Sequence, residues 1–155
     1  MLYDIPGYKK LNITKVVMDY NGTIAVDGKI GESIKQRLAL LSKEFQLFVL
    51  TADTYGTAGE QCRELGLEVK TFPQGNAGPE KEKIVRDLGA DSCVCLGNGR
   101  NDEKMFALAA LSIAIMDGEG LYGPLVNKAD LCVRSAEDGL DLLRFPKRII
   151  AGLRG

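Results

Sequence analysis

Among the 155 residues, four clusters carry side chains able to do chemistry. Asp19 closes the apolar run Val16-Val17-Met18 and leads into Tyr20-Asn21-Gly22-Thr23. Thr51, followed by Ala52 and Asp53, ends a second apolar run. Lys81 lies in the segment Pro79-Glu80-Lys81-Glu82-Lys83-Ile84-Val85, and Asn98, Arg100, Asn101 and Asp102 share the loop that begins at Gly97. The chain contains no histidine, which removes Ser-His-Asp and Cys-His catalysis, His-ligated zinc and phosphohistidine relays together. What remains is chemistry run on carboxylates, amides, hydroxyls, lysine, arginine or thiols.

Such groups act only if a scaffold brings them together. Short apolar runs ending in Gly or Asp alternate with segments of helical period, the pattern of a parallel sheet with crossover helices. Strands are expected at residues 13–18, 45–50, 67–72, 92–96, 112–116 and 130–133. Helices are expected at 31–42, where Ile34, Leu38 and Leu41 form one stripe, and at 57–65, 79–88, 102–110 and 136–144, the last ending before Pro146. Residues 24–30 predict a small hairpin flap around the Asp27-Gly28 turn. The sum is an α/β fold of three layers, Rossmann-like, with a central, mostly parallel sheet of about five strands and no cap, forming a single domain over residues 1–155. In such sheets ligands bind beyond the carboxyl ends of the strands. Asp19, Thr51 with Asp53, and the segment 98–102 all fall there.

The 21 acidic and 20 basic residues leave a net charge of −1, which argues against a nucleic-acid partner, and the 45 % hydrophobic content describes a globular chain. The longest mostly apolar stretch, residues 107–116, is far short of the roughly 20 residues that span a bilayer, so no direct membrane insertion is expected. No basic region precedes an apolar run at the N-terminus, and the expected location is the cytoplasm. Cys62, Cys93, Cys95 and Cys132 form no Cys-x-x-Cys pair. Cys93 and Cys95 are expected on one face of a strand as small core residues.

Asp19-Tyr20-Asn21-Gly22-Thr23 resembles the first motif of the haloacid dehalogenase-like superfamily, DxDGT, written DKTGT in P-type ATPases. Leu50-Thr51, Lys81 and Gly97-Asn98-Gly99-Arg100-Asn101-Asp102 follow in the order of its remaining motifs, the last resembling GDGxND of a P-type ATPase phosphorylation domain. The likeness extends over nearly the whole chain, as for a stand-alone, soluble relative of such a domain. It implies an Mg²⁺-dependent phosphohydrolase or phosphotransferase, with Asp19 as the nucleophile that forms an aspartyl-phosphate. It further implies that Thr51 and Lys81 contact the phosphoryl oxygens, with Lys83 as the alternative lysine, and that Ala52 and Asn101 lie beside them. The Gly22 and Thr23 N–H groups would complete an anion nest. Mg²⁺ would be held by Asp19, the Asn21 carbonyl, Asn98 and Asp102, an oxygen-only set. Arg100 would either meet a substrate's anionic tail or pair with a neighbour.

Two positions depart from the pattern. Asn21 stands where most phosphatases of this superfamily have an acid/base aspartate, and an amide cannot shuttle a proton. Asn98 stands where an aspartate is usual, so a loose metal site is expected. A catalytically degenerate protein that binds phosphate, Mg²⁺ or a regulatory partner is the alternative. The gaps between motifs are too short for a cap domain. The substrate is then bulky, a phosphorylated small molecule or protein, or a second copy of the chain lends the missing cover. Both departures are also followed by glycine, the context in which asparagine deamidates most readily.

Overall fold

A computed structural model describes residues 1–52 and 57–155. Two short strands, β1 (Leu2–Asp4) and β2 (Lys10–Asn12), pair as an antiparallel hairpin before the main sheet begins. There follow β3 (Lys15–Asp19), α1 (Glu32–Leu41), β4 (Gln46–Thr51), α2 (Thr57–Glu64), β5 (Glu68–Thr71), α3 (Ala77–Leu88), β6 (Cys93–Gly97) and α4 (Glu103–Leu108). The chain continues through β7 (Leu111–Ile115), β8 (Leu131–Val133), α5 (Ala136–Arg144) and α6 (Pro146–Leu153). Asp53 lies outside the described residues.

The main sheet is parallel and six-stranded, with a strand at each of the six expected apolar runs where the overall reading gives about five, in the order β5-β4-β3-β6-β7-β8. The chain builds outward from β3 through β4 to β5, then returns to β6 on the other flank. The switch point is therefore between β3 and β6, where two crossover connections diverge and leave a crevice at the strands' carboxyl ends. Asp19 ends β3 and Asn98 directly follows β6, so the topology alone brings these two together.

Burial on both faces explains why these strands are continuous apolar runs. Side chains alternate between two cores: Val16, Met18, Val49 and Leu96 face one, and Val17, Phe48, Leu50 and Cys95 face the other. The first core is closed by α1, α2, α5 and α6, through residues such as Leu38, Cys62, Leu140 and Ile149. The second is closed by Val85 of α3 and by Met105 and Phe106 of α4. Cys93 and Cys95 sit together in this second core, as their alternation predicts, and all four cysteines are free thiols.

The flap is smaller than the seven-residue hairpin expected from the sequence. Val26 and Lys29 exchange backbone hydrogen bonds of 3.1 and 3.0 Å around a turn in which Asp27 has φ +50°. The helix expected at 102–110 is also shorter, because a 3₁₀ turn at Arg100–Asp102 precedes α4 and Ala109 turns to extended backbone. Between β3 and α1 there is only the turn and flap, and between β4 and α3 the described residues hold only α2 and β5, so no cap is present there. Among the described residues no helix is long and apolar enough to cross a membrane.

The β1–β2 hairpin and α6 were not anticipated. Each hairpin strand buries only its middle residue, Tyr3 or Leu11, too short a signal for periodicity. α5 ends before Pro146 as expected, and Pro146 also opens α6, where a missing N–H is tolerated. Ile149 is the fully buried residue of this last helix. Ile149→Ala is expected to lower unfolding stability by about 2–5 kcal/mol, measured by urea titration, because the core cannot collapse fully around the lost atoms.

Candidate active site

Lys81 organises the crevice. Its ammonium is buried, at 1 % exposure, and its three donors meet Asp19 Oδ1 at 2.6 Å, Asp102 Oδ1 at 2.7 Å and Asn101 Oδ1 at 2.9 Å. The Phe72 ring lies 5.9 Å from the ammonium and closes its apolar side. The alternating Glu-Lys-Glu-Lys segment therefore does not form a uniformly solvated face. Lys81 turns inward from α3 and Lys83 is exposed, which settles which lysine reaches the site.

Asp102 is the anchor of this arrangement. It is fully buried, and its Oδ2 accepts the N–H groups of Asn98 at 3.0 Å and Gly99 at 2.9 Å while Oδ1 takes Lys81. This packing demands glycine at position 97, where a Cβ would sit 2.4 Å from Asp102 Oδ2. Position 22 is constrained in the same way. Gly22 has φ +78°, and a Cβ there would lie 2.2 Å from Asn98 Nδ2.

Asn98 is fixed from several sides. Its Oδ1 accepts the Thr23 hydroxyl at 3.2 Å, its Nδ2 donates to the Gly120 carbonyl at 3.0 Å, and its own carbonyl accepts the Tyr122 N–H at 2.8 Å. The Thr23 hydroxyl also lies 3.4 Å from Asp19 Oδ2. The loop bearing Gly120 further receives the flap, with the Asp27 N–H on Glu119 at 2.9 Å and Val26 packed on Gly118. Sequence reasoning missed this role of residues 118–122, which bear no recognisable motif.

A pocket of about 250 Å³ opens beside Asp19 and is lined also by Asn21, Thr51, Ala52, Lys81 and Asn98. Thr51 is buried at the end of β4 and Asn21 is exposed at the rim. The anion nest expected at the turn is not open in this conformation. The Gly22 N–H donates to the Ala25 carbonyl at 2.8 Å and the Thr23 N–H to the Tyr20 carbonyl at 3.3 Å, since the turn consumes its own donors. Arg100 is exposed and lines the adjoining cleft rather than this pocket.

The donor set suits a hard cation only in part. Asp19 and Asn98 present oxygens on either side of the Thr23 hydroxyl, and the Asn21 residue stands at the same rim. Asp102, expected as a fourth ligand, has one oxygen on Lys81 and the other on two N–H groups. No group of three or more His, Cys, Asp and Glu side chains gathers around a common point among the described residues.

No family model matches the chain. Two proteins of Methanocaldococcus jannaschii do. Uncharacterized protein MJ0072 is 49 % identical over 39 residues, which span 25 % of this chain and 89 % of that protein. Uncharacterized protein MJ0073 is 32 % identical over 92 residues, spanning 57 % of this chain and 99 % of that protein. The chain belongs to one family with them. Among solved structures, the cobalt-bound deoxy-D-mannose-octulosonate 8-phosphate phosphatase of Haemophilus influenzae superposes with a TM-score of 0.69 at 16 % identity, covering 92 % of this chain and 90 % of that one. The 3-deoxy-D-manno-octulosonate 8-phosphate phosphatase of Moraxella catarrhalis, in complex with magnesium ion, phosphate ion and KDO, also gives 0.69 at 16 % identity, covering 90 % and 87 %. The fold is haloacid dehalogenase-like.

Within this crevice, burial pushes the Asp19 carboxyl up from its ordinary value to about 7; Asp102 adds to the rise, and Lys81 and the Tyr20 N–H oppose it. The neighbouring carboxylates raise Lys81 against the opposing effect of its own burial. A carboxyl whose pKa is raised by folding stabilises the fold fully below its unfolded value of 3.8, and that contribution is lost as pH climbs to about 7. At pH 8, Asp19→Asn is therefore expected to unfold at the same or higher urea concentration than the wild type. Asp102→Asn strips a buried ammonium of its anchor, with an expected loss of about 3–5 kcal/mol in the same titration.

Both Asn-Gly steps are tied down. The Gly22 and Gly99 nitrogens that would attack the preceding amides donate to Ala25 O at 2.8 Å and Asp102 Oδ2 at 2.9 Å. Peptide mapping after incubation at pH 8 is expected to find one-dalton gains at Asn21 and Asn98 in the urea-unfolded chain and few in the folded one.

Proposed function

We propose that the chain is a phosphohydrolase or phosphotransferase that accepts a phosphoryl group on Asp19. The observation that carries this reading is the buried Lys81 ammonium, 2.6 Å from a carboxylate that ends the central strand at the sheet's switch point. A carboxylate approaching a phosphate meets charge repulsion, so it needs fixed positive charge beside it. Lys81 supplies that charge to both partners. The likeness to sugar-acid phosphate phosphatases supports the same class of reaction.

One Asp19 oxygen attacks phosphorus, and the bond from phosphorus to the leaving oxygen breaks, giving an aspartyl-phosphate and the leaving group as its oxyanion, which takes a proton from solvent. The Thr51 hydroxyl donates to the phosphoryl oxygens, and Lys81 does so by giving up its contact with Asn101. Asp19, Asn98 and the Asn21 carbonyl are the residues to hold a divalent ion such as Mg²⁺, which when bound supplies further charge neutralisation at the phosphoryl group. Asn21 can orient the leaving oxygen or the attacking water but takes no proton from either. Proton transfer by a positioned side chain is typically worth 10²–10⁴-fold, so substrates with poor leaving groups are slow here by about that factor. Acyl phosphates, aryl phosphates and terminal nucleotide phosphates lose least.

Without a cap the pocket admits a phosphorylated small molecule or a protein side chain, and a second copy of the chain can close it. With 4-nitrophenyl phosphate and Mg²⁺, Asn21→Asp is expected to raise steady-state hydrolysis about tenfold, less than the 10²–10⁴-fold of full acid–base help because the aryl leaving group needs little protonation. Asp19→Asn is expected to abolish it. Because Asp19 must be ionised to hold Mg²⁺ and to attack, and burial raises its carboxyl in the metal-free site, the Mg²⁺ concentration needed for half-maximal activity should fall as pH rises from 6 to 8. Full activity in Asp19→Asn would refute the assignment, and phosphate binding without turnover in wild type and Asn21→Asp would favour the degenerate binder.

A further inference from the structure

Beside the Asp19 pocket lies a second, larger concavity of about 690 Å³, between the first turn of α3 and the segment 100–104. The two adjoin: Ala77 and Asn101 line both, and Asn101 also accepts from Lys81. The charge of the larger cleft is one-sided. Arg100 and Lys104 line it four positions apart, both exposed, and neither pairs with a carboxylate among the described residues. Glu103, the one carboxylate lining it, is engaged by Lys128. The cleft therefore carries two unanswered positive charges next to a site for a phosphoryl group. Its volume exceeds what a single phosphate fills, leaving room for part of the connecting skeleton.

We infer that this cleft binds a second phosphate on the leaving side of the substrate, so that the substrate class is small molecules with two phosphates separated by a short linker. The inference rests on the reading of Asp19 as phosphoryl acceptor, which fixes where the first phosphate sits. Arg100 can grip the second phosphate with two parallel N–H donors, while Lys104 adds a point charge. Neither residue need touch the reacting atoms. Their effect is on which molecule is held, and the leaving side is where an open, capless site otherwise offers little discrimination.

The test compares butyl phosphate with butane-1,4-diyl bisphosphate, which differ only in the second phosphate, by isothermal titration calorimetry on the full chain. In wild type the bisphosphate should bind about tenfold tighter, the gain expected from two exposed charge contacts, and the preference should shrink as salt is raised from 50 to 300 mM. In Arg100→Gln/Lys104→Gln the ratio of the two dissociation constants should fall to about that of the statistical factor of two. Equal affinities in wild type, or a preference that survives the double substitution, would overturn the cleft assignment. The salt series in wild type needs no variant, so a folding defect in the double substitution does not rescue the claim. Hydrolysis of 4-nitrophenyl phosphate, measured in parallel, judges the Asp19 reading separately: absence of turnover with an intact bisphosphate preference refutes the chemistry and leaves the cleft.

Discussion

One buried ammonium holds this site together. Two carboxylates drawn out of water at the end of a parallel sheet repel each other, and each costs several kcal/mol to desolvate unless an opposite charge is close. Lys81 answers both, with its third donor on Asn101. Because the lysine belongs to α3 and its acceptors belong to β3 and to the turn after β6, this one side chain also fixes the helix over the switch point. The same contact that makes the crevice structurally tolerable sets a positive charge against the oxygen of Asp19.

Around that contact, space is rationed by glycine. Asp102 can turn back onto its own loop only because position 97 has no Cβ, and the Asn98 amide can lie against the first turn only because position 22 has none. Of the two asparagines that depart from the resembling family, only Asn98 sits in such a crowded place. Asn98 is held by Thr23, Gly120 and Tyr122, so its amide is a fixed element of the pocket wall. Asn21 is at the open rim, where it has freedom to orient a ligand but no proton to give. The result is a site with less negative charge than four carboxylates would bring, and correspondingly less hold on a metal.

The strands were legible because each is a short apolar run bounded by Gly or Asp, and both faces of the sheet are covered, so no alternation had to be decoded. Their ends fall within two residues of expectation at β3, and closer at β4, β6 and β7. Lys81 is a different case. Its neighbours are Glu and Lys, so periodicity alone gives a solvated helix, and only the order of motifs along the chain pointed to it. The closed nest at Gly22 and Thr23 could not be read from residue type, because whether a turn's N–H groups face a ligand or its own carbonyls is a matter of dihedral angles. Residue type does not decide whether Arg100 meets a ligand or a neighbour either, since pairing of a long side chain depends on what the fold brings near it. The loop 118–122 bears on the site entirely through backbone groups and packing, which leave no mark in composition.

The central claim is that the Asp19 carboxylate becomes covalently phosphorylated. Borohydride reduces an acyl phosphate to an alcohol, converting a phosphorylated aspartate to homoserine, which tandem mass spectrometry can locate. After incubation with acetyl phosphate and Mg²⁺ and quenching with borohydride, homoserine is predicted at position 19 and absent when phosphate donor is omitted. Reduction at another carboxyl, or an unmodified Asp19 in a preparation that turns the donor over, would contradict the account.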